Sequence, residues 1–198
     1  METRKLVGYQ KLRLDTQHHT AQLLIPGMKV DLGGIAKGYA ADEALKTLRG
    51  KEIEVALVAI GGDIALGAPP PGKPGWRVDI NPGPAFKTKP LKPLLLSHAG
   101  VSTSGDAEQF VEISGKRYSH IIDPRTGMAL LGYRSVTLVA RNATASDALA
   151  TALCVLGPKA GLRFIQSQPR AAALYLEFVD GKIREYSSKR WGTPETRD

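Results

Sequence analysis

Punctuation constrains the fold of this chain more than any other feature. Glycine and proline, 21 and 13 of 198 residues, cut the sequence into short segments and exclude a coiled coil. Between the breaks lie neighbouring pairs of short alternating runs, interrupted by stretches with helical spacing. Residues 12–15 and 21–25 predict strands before a Pro26-Gly27 turn. Met28, Val30 and Leu32 alternate like a further strand, which Gly33-Gly34 ends. Tyr39, Ala40, Ala44, Leu45 and Leu48 recur at helical spacing and predict a helix over 35–48. A buried-strand run at 55–60 stops at Gly61-Gly62 and resumes at 64–66. Loops rich in Pro and Gly fill 68–75 and 81–93.

Residues 109–113 and 116–121 alternate around Ser114-Gly115, a hairpin signal, and 123–127 form a tight turn. A strand at 136–140 leads to a helix at 145–156, which Gly157-Pro158 separates from a second at 159–167. A last hairpin pairs 172–179 with 183–186, and the tail at 189–198 is expected to fray. This order predicts one α+β domain over 1–198, a mainly antiparallel sheet covered by helices on one side, and not a regular βαβ repeat.

The composition, 42% apolar and 23% charged, is that of a globular protein large enough to bury a core without staples. No apolar stretch approaches the ~18 residues of a membrane span. The single cysteine, Cys154, lies in an apolar run and reads as a small core side chain. The net charge of +8 suits an anionic partner, yet no run of five basic residues is present, which argues against a nucleic-acid tail. The first five residues have no apolar signal-peptide core and no lipid-attachment cysteine.

Several motifs could carry chemistry. In Asp31-Leu32-Gly33-Gly34-Ile35-Ala36-Lys37-Gly38, two glycines precede a helix whose first turn holds a lysine. Free N–H groups there attract phosphate, and Lys37 adds a charge; a plain glycine turn with a solvated lysine fits the same residues. Asp147 and Thr151 stand one helical turn apart. Together they could hold a hard cation such as Mg²⁺, or serve as a capping carboxylate and a packed threonine. His120, before the Asp123-Pro124-Arg125-Thr126-Gly127 turn, could act as an acid–base group or touch a phosphate; a simple structural hydrogen bond is the alternative. Gly61-Gly62-Asp63 and Thr103-Ser104-Gly105-Asp106 are small polar loops of the kind that line clefts or make turns.

In this order and at these intervals, the five motifs resemble the ApbE family of flavin transferases (FAD:protein FMN transferases) over about residues 5–186. The resemblance implies a T-fold-like α+β domain, N-terminally short against the family's usual length. It implies an enzyme that uses Mg²⁺ to cleave the pyrophosphate of FAD. FMN is then attached by a phosphoester to a Thr or Ser of an acceptor protein, a membrane redox subunit, at a periplasmic or membrane-associated location. The metal ligands it implies are Asp147, Thr151 and the Gly34 carbonyl. The flavin contacts are Asp31, Lys37, His120 and Ile121, and His120 and Asp147 are the catalytic candidates. Two alternatives stay open, a FAD- or FMN-binding module without transferase activity and a hydrolase giving FMN and AMP.

Overall fold

A computed structural model describes residues 3–87, 91–106 and 109–192. In chain order its elements are β1 (Leu12–Asp15), β2 (Thr20–Leu23), α1 (Ala36–Arg49), β3 (Leu57–Ile60), β4 (Asp63–Leu66), β5 (Trp76–Val78), β6 (Leu94–Leu96), β7 (Gly100–Gly105), β8 (Phe110–Ile113), β9 (Lys116–Asp123), β10 (Met128–Leu131), β11 (Tyr133–Ala140), α2 (Ala143–Gln166), β12 (Ala172–Val179) and β13 (Lys182–Ser187). Six strands form the central sheet in the order β13-β12-β11-β7-β4-β3, every pair antiparallel. β8, β9 and β10 make a separate antiparallel sheet with β9 in the middle, and β1–β2 and β5–β6 are two-stranded.

Strand alternation sorts the two faces of the central sheet. Val136, Leu138 and Ala140 of β11, with Ala173 and Tyr175 of β12, pack against Ala150, Leu153, Cys154 and Ile165 of α2. The opposite face carries Leu66, Val101 and Val139 against Val78 and Leu96 of the β5–β6 hairpin, and Leu174 and Leu176 against Phe86. The helices therefore cover one face, as expected, and the Pro-rich segments fold over the other. Each large aliphatic side chain removed from water contributes about 1.5–3 kcal/mol.

The helix α2 is long and apolar enough by composition to cross a membrane, more than the run lengths led us to expect. Its apolar side packs on the sheet instead, and Gly157, at φ 76°, breaks it where Gly157-Pro158 predicted a stop. Its N-cap is Asn142, whose side chain accepts the Ala145 N–H at 2.9 Å, so Asp147 is not the cap. Asp42 of α1 accepts the N–H groups of Ala143 and Thr144 at 2.9 and 2.8 Å, joining the two helices at the open start of α2. Gly38 lets them touch. A Cβ there would stand 2.2 Å from the Ala143 carbonyl oxygen and 2.8 Å from the Asp147 Cβ.

Three elements differ from expectation. The run at 55–60, expected as a buried strand, gives β3, the edge strand of the central sheet, with Leu57 and Ala59 exposed. Residues 28–32 form no strand: Lys29, Val30, Asp31 and Leu32 are exposed and have no paired neighbour. β10 follows the Asp123–Gly127 turn and pairs with β9, although its continuous apolar sequence carries no alternation. Residues 88–90 of the second Pro-rich segment and 193–198 of the tail lie outside the described residues.

Candidate functional site

β7 carries the alternation into the site. Ser102 and Ser104 face α2, where their hydroxyls pair with Ser146 at 2.7 Å and Thr151 at 3.0 Å. Val101 points to the opposite core. Asp147 and Thr151, one turn apart on α2, meet the first turn of α1 and the loop before it. The buried Asp147 Oδ2 accepts the Gly38 N–H at 3.0 Å. Gly34 lies against Thr151: a Cβ on Gly34 would be 3.3 Å from Thr151 Cγ2 and 3.6 Å from its Oγ1.

A second carboxylate completes the cluster. Asp63, the first residue of β4, is 1% exposed, and its Oδ2 accepts a hydrogen bond from Lys37 Nζ. The same ammonium lies 3.7 Å from Asp147 Oδ1. Burial pushes the Asp147 carboxyl above its ordinary pKa. The Gly38 N–H draws it down, the Asp63 charge adds to the rise, and Lys37 opposes it. Two carboxylates thus face one ammonium, and added positive charge is favoured there.

The donor set fits Mg²⁺. Asp147, Thr151, Ser104 and the Gly34 backbone offer hard oxygen atoms only. Among the described residues no three His, Cys, Asp or Glu side chains converge. A site with so few carboxylates suits a cation that keeps water and ligand phosphates in its coordination shell.

Among the described residues, no hydrogen bond or ion pair joins the side chains of the other expected residues to this cluster. Asp31 is exposed in the loop before α1, where its carboxylate accepts the Gly33 N–H at 2.7 Å. His120 is exposed on β9, its ring Nδ1 3.0 Å from the Gln109 carbonyl oxygen. With Phe110, Tyr118 and Met128 it lines an open cavity of about 620 Å³. The Ile121 side chain is buried in the core beside Val136 and Leu138, which leaves only its backbone for a ligand. Among the described residues no hydrogen bond joins His120 to the Asp147 cluster. Cys154 is fully buried, and burial pushes its thiol up to about 12, the inert core side chain its sequence setting predicts.

Two participants were seen in sequence only as parts of turn-like motifs. Ser104 was legible as a small polar residue after a strand, but its tie to Thr151 spans 47 residues. Asp63 carried no signal of its own beyond the two preceding glycines.

Comparison with known proteins gives a consistent result. The family model described as the ApbE family matches residues 1–175. The FAD:protein FMN transferase of Treponema pallidum is 38% identical over 175 residues, covering 84% of this chain and 48% of that protein. That of Escherichia coli K12 is 34% identical over 193 residues, covering 95% and 53%. The crystal structure of the Pseudomonas stutzeri flavinyl transferase ApbE in its apo form superposes with a TM-score of 0.80 at 30% identity, covering 95% of this chain and 57% of that one. The Vibrio cholerae flavin transferase ApbE gives 0.77 at 30% identity, covering 95% and 59%. The chain spans about half the length of the curated relatives it matches.

Proposed function

The chain belongs to the ApbE family, and from that premise we propose that it is an Mg²⁺-dependent FAD:protein FMN transferase. The acceptor hydroxyl of a Thr or Ser attacks the FMN phosphorus of FAD. One P–O bond forms, the pyrophosphate P–O bond to the AMP half breaks, AMP leaves, and the hydroxyl proton passes to a base. The observation that supports this reading best is the convergence of Asp147, Thr151, Gly34 and Lys37, from two helices and a loop, into one charged oxygen-rich site.

Asp147, Thr151 and the Gly34 carbonyl would hold Mg²⁺, which when bound supplies charge neutralisation and Lewis acidity at the phosphates. Lys37 presents an ammonium to the same phosphates, and Asp31 binds the flavin nucleotide from the loop before α1. His120 donates Nδ1–H to Gln109, so Nε2 is the basic nitrogen and takes the proton of the acceptor hydroxyl. Ile121 contributes its backbone beside it. The acceptor is a membrane redox subunit, which goes with a periplasmic or membrane-associated location.

The test is turnover of FAD with a Thr-bearing acceptor peptide, in Mg²⁺ and in EDTA, followed by mass spectrometry of peptide and AMP. Modified peptide and AMP in Mg²⁺, absent in EDTA, are expected. AMP with free FMN and unmodified peptide would replace the reading with a hydrolase. FAD binding without product would replace it with a flavin-binding module.

A further inference from the structure

We propose that Asp63 is a positioning residue for the reaction: it acts through Lys37, holding the ammonium in place for the phosphates before any ligand arrives. This inference rests on the transferase reading in taking FAD as the ligand. Two features of the β3–β4 turn serve Lys37. Gly61, at φ 54°, leaves a space that a side chain would close, since a Cβ there would stand 2.9 Å from Lys37 Cδ. The lysine stem therefore lies across the turn. Two residues on, Asp63 turns its carboxylate inward at 1% exposure and receives the ammonium at the end of that stem.

Asp63 has no other side-chain hydrogen bond or ion pair among the described residues, so the lysine is its partner. A buried carboxylate is costly without a counter-charge, and Lys37 supplies one. The benefit runs both ways. A lysine is a flexible side chain with much rotamer freedom to lose on binding a ligand. Lys37 is anchored at one end to Asp63 and lies within ion-pair distance of Asp147, while its side chain remains 44% exposed. The ammonium is fixed against the cation site, on a side chain that as a whole stays partly open to solvent. A point charge already in position makes the encounter with a phosphate less demanding in entropy.

Asp63 also sets the charge of the site. Asp63 and Asp147 carry two negative charges against one positive, a balance that neither an Asn nor an unpaired lysine would reproduce. Asp63 is hydrogen-bonded to no residue assigned to the metal; besides its charge, which also reaches Asp147, its contact with the site is through the lysine.

The experiment measures FAD binding in EDTA, where no metal contributes, for the parent chain and for Asp63→Asn, Asp63→Glu, Lys37→Met and the Asp63→Asn/Lys37→Met pair, together with kcat and KM in Mg²⁺. Asp63→Asn is expected to weaken FAD binding about 10- to 100-fold, by analogy with the range for partners that orient metal ligands. Lys37→Met should weaken it as much, and the double variant no more than either alone. Asp63→Glu should recover part of the loss. Losses that add in the double variant, or Asp63→Asn binding FAD like the parent with an unchanged melting temperature, would overturn the proposal. If Asp63→Asn does not fold, the comparison of Asp63→Glu in the parent and Lys37→Met backgrounds replaces it, with the same two outcomes. Coupled losses of FAD binding without any FMN transfer would sustain the role of Asp63 and reject the transferase reading. No FAD binding by the parent chain in EDTA would overturn the role given to Asp63, and none in Mg²⁺ either would reject the transferase reading as well.

Discussion

The cluster at the α1–α2 contact and the β8–β9–β10 sheet solve opposite problems. In the cluster, Asp63 and Asp147 are each 1% exposed, and their partners come from other elements, 26 and 109 residues away in sequence. In the outer sheet all four residues of β8 are exposed, as are Ile122, Met128 and Leu131. Ile121 of β9 anchors that sheet in the core against α2, and two arginines tie it to the rest. Arg117 stacks on Phe110 and Tyr133 and faces Asp106 at 3.9 Å. Arg125 bridges Asp123 and the Val155 carbonyl of α2. Charge handling is thus built into packed helices and strands, whereas His120 sits on an open apolar surface. A site fixed by its scaffold spends little on ordering its groups when a ligand binds.

The strongest way to break this comparison is Asp147→Asn. It should lower Mg²⁺-dependent FAD turnover by more than about 100-fold, because the carboxylate proposed to hold the metal is lost. Stability should not follow. The Asp147 carboxyl titrates above its ordinary value, so folding disfavours its charged form at neutral pH. In EDTA at pH 7 the variant is expected to melt no lower than the parent; a lower melting temperature would make Asp147 a structural residue.

Next in size is Gly38→Ala. The new methyl would meet the Ala143 carbonyl and the Asp147 side chain at less than contact distance. Urea unfolding should show a loss of about 3 kcal/mol, and the proposed Mg²⁺ site should weaken with it as α1 moves off α2. Unchanged stability would mean that the helix contact is looser than its geometry.

The smallest effect sharpens the outer half of the comparison. Hydrogen bonds from the Arg125 side chain, then its backbone N–H, hold the Asp123 carboxyl below 3.8. Its stabilising contribution is therefore present above pH 3.8 and is lost as pH falls through the lower folded value. Asp123→Asn should melt slightly below the parent at pH 7, with the gap narrowing under pH 3.8. Amide exchange should quicken in residues 109–131 and stay slow around Asp147. Equal quickening in both places would show the two regions to be one cooperative unit.

Much of the fold was legible because its signals are local. Gly157-Pro158 predicted a break, and Gly157 supplies it with a left-handed backbone. The alternation of 109–121 around Ser114-Gly115 predicted the β8–β9 hairpin. The same logic failed at 28–32, where Met28, Val30 and Leu32 alternate but no strand lies beside them. Alternation records a face, and a strand also needs a neighbour. β10 escaped notice for the reverse reason, since its neighbour β9 makes a strand of a sequence without alternation.

The site divides in the same manner. Asp147 and Thr151 were readable as a pair because the helical period puts them one turn apart. The approach of Gly34 to Thr151 and the grip of Asp63 on Lys37 are products of packing between distant segments. Family resemblance supplied the expectation for Gly34. Asp63 was visible only as the end of a Gly-Gly-Asp loop motif, with nothing to tie it to Lys37.

The account turns on a cation held between α1 and α2, and one measurement addresses that directly: anomalous diffraction from crystals grown with FAD and Mn²⁺ in place of Mg²⁺. The account predicts a peak within coordination distance of the Asp147 carboxylate, Thr151 Oγ1 and the Gly34 carbonyl, with the FAD phosphates beside it. A peak elsewhere, or FAD phosphates bound by Lys37 with no metal against Asp147, would contradict it.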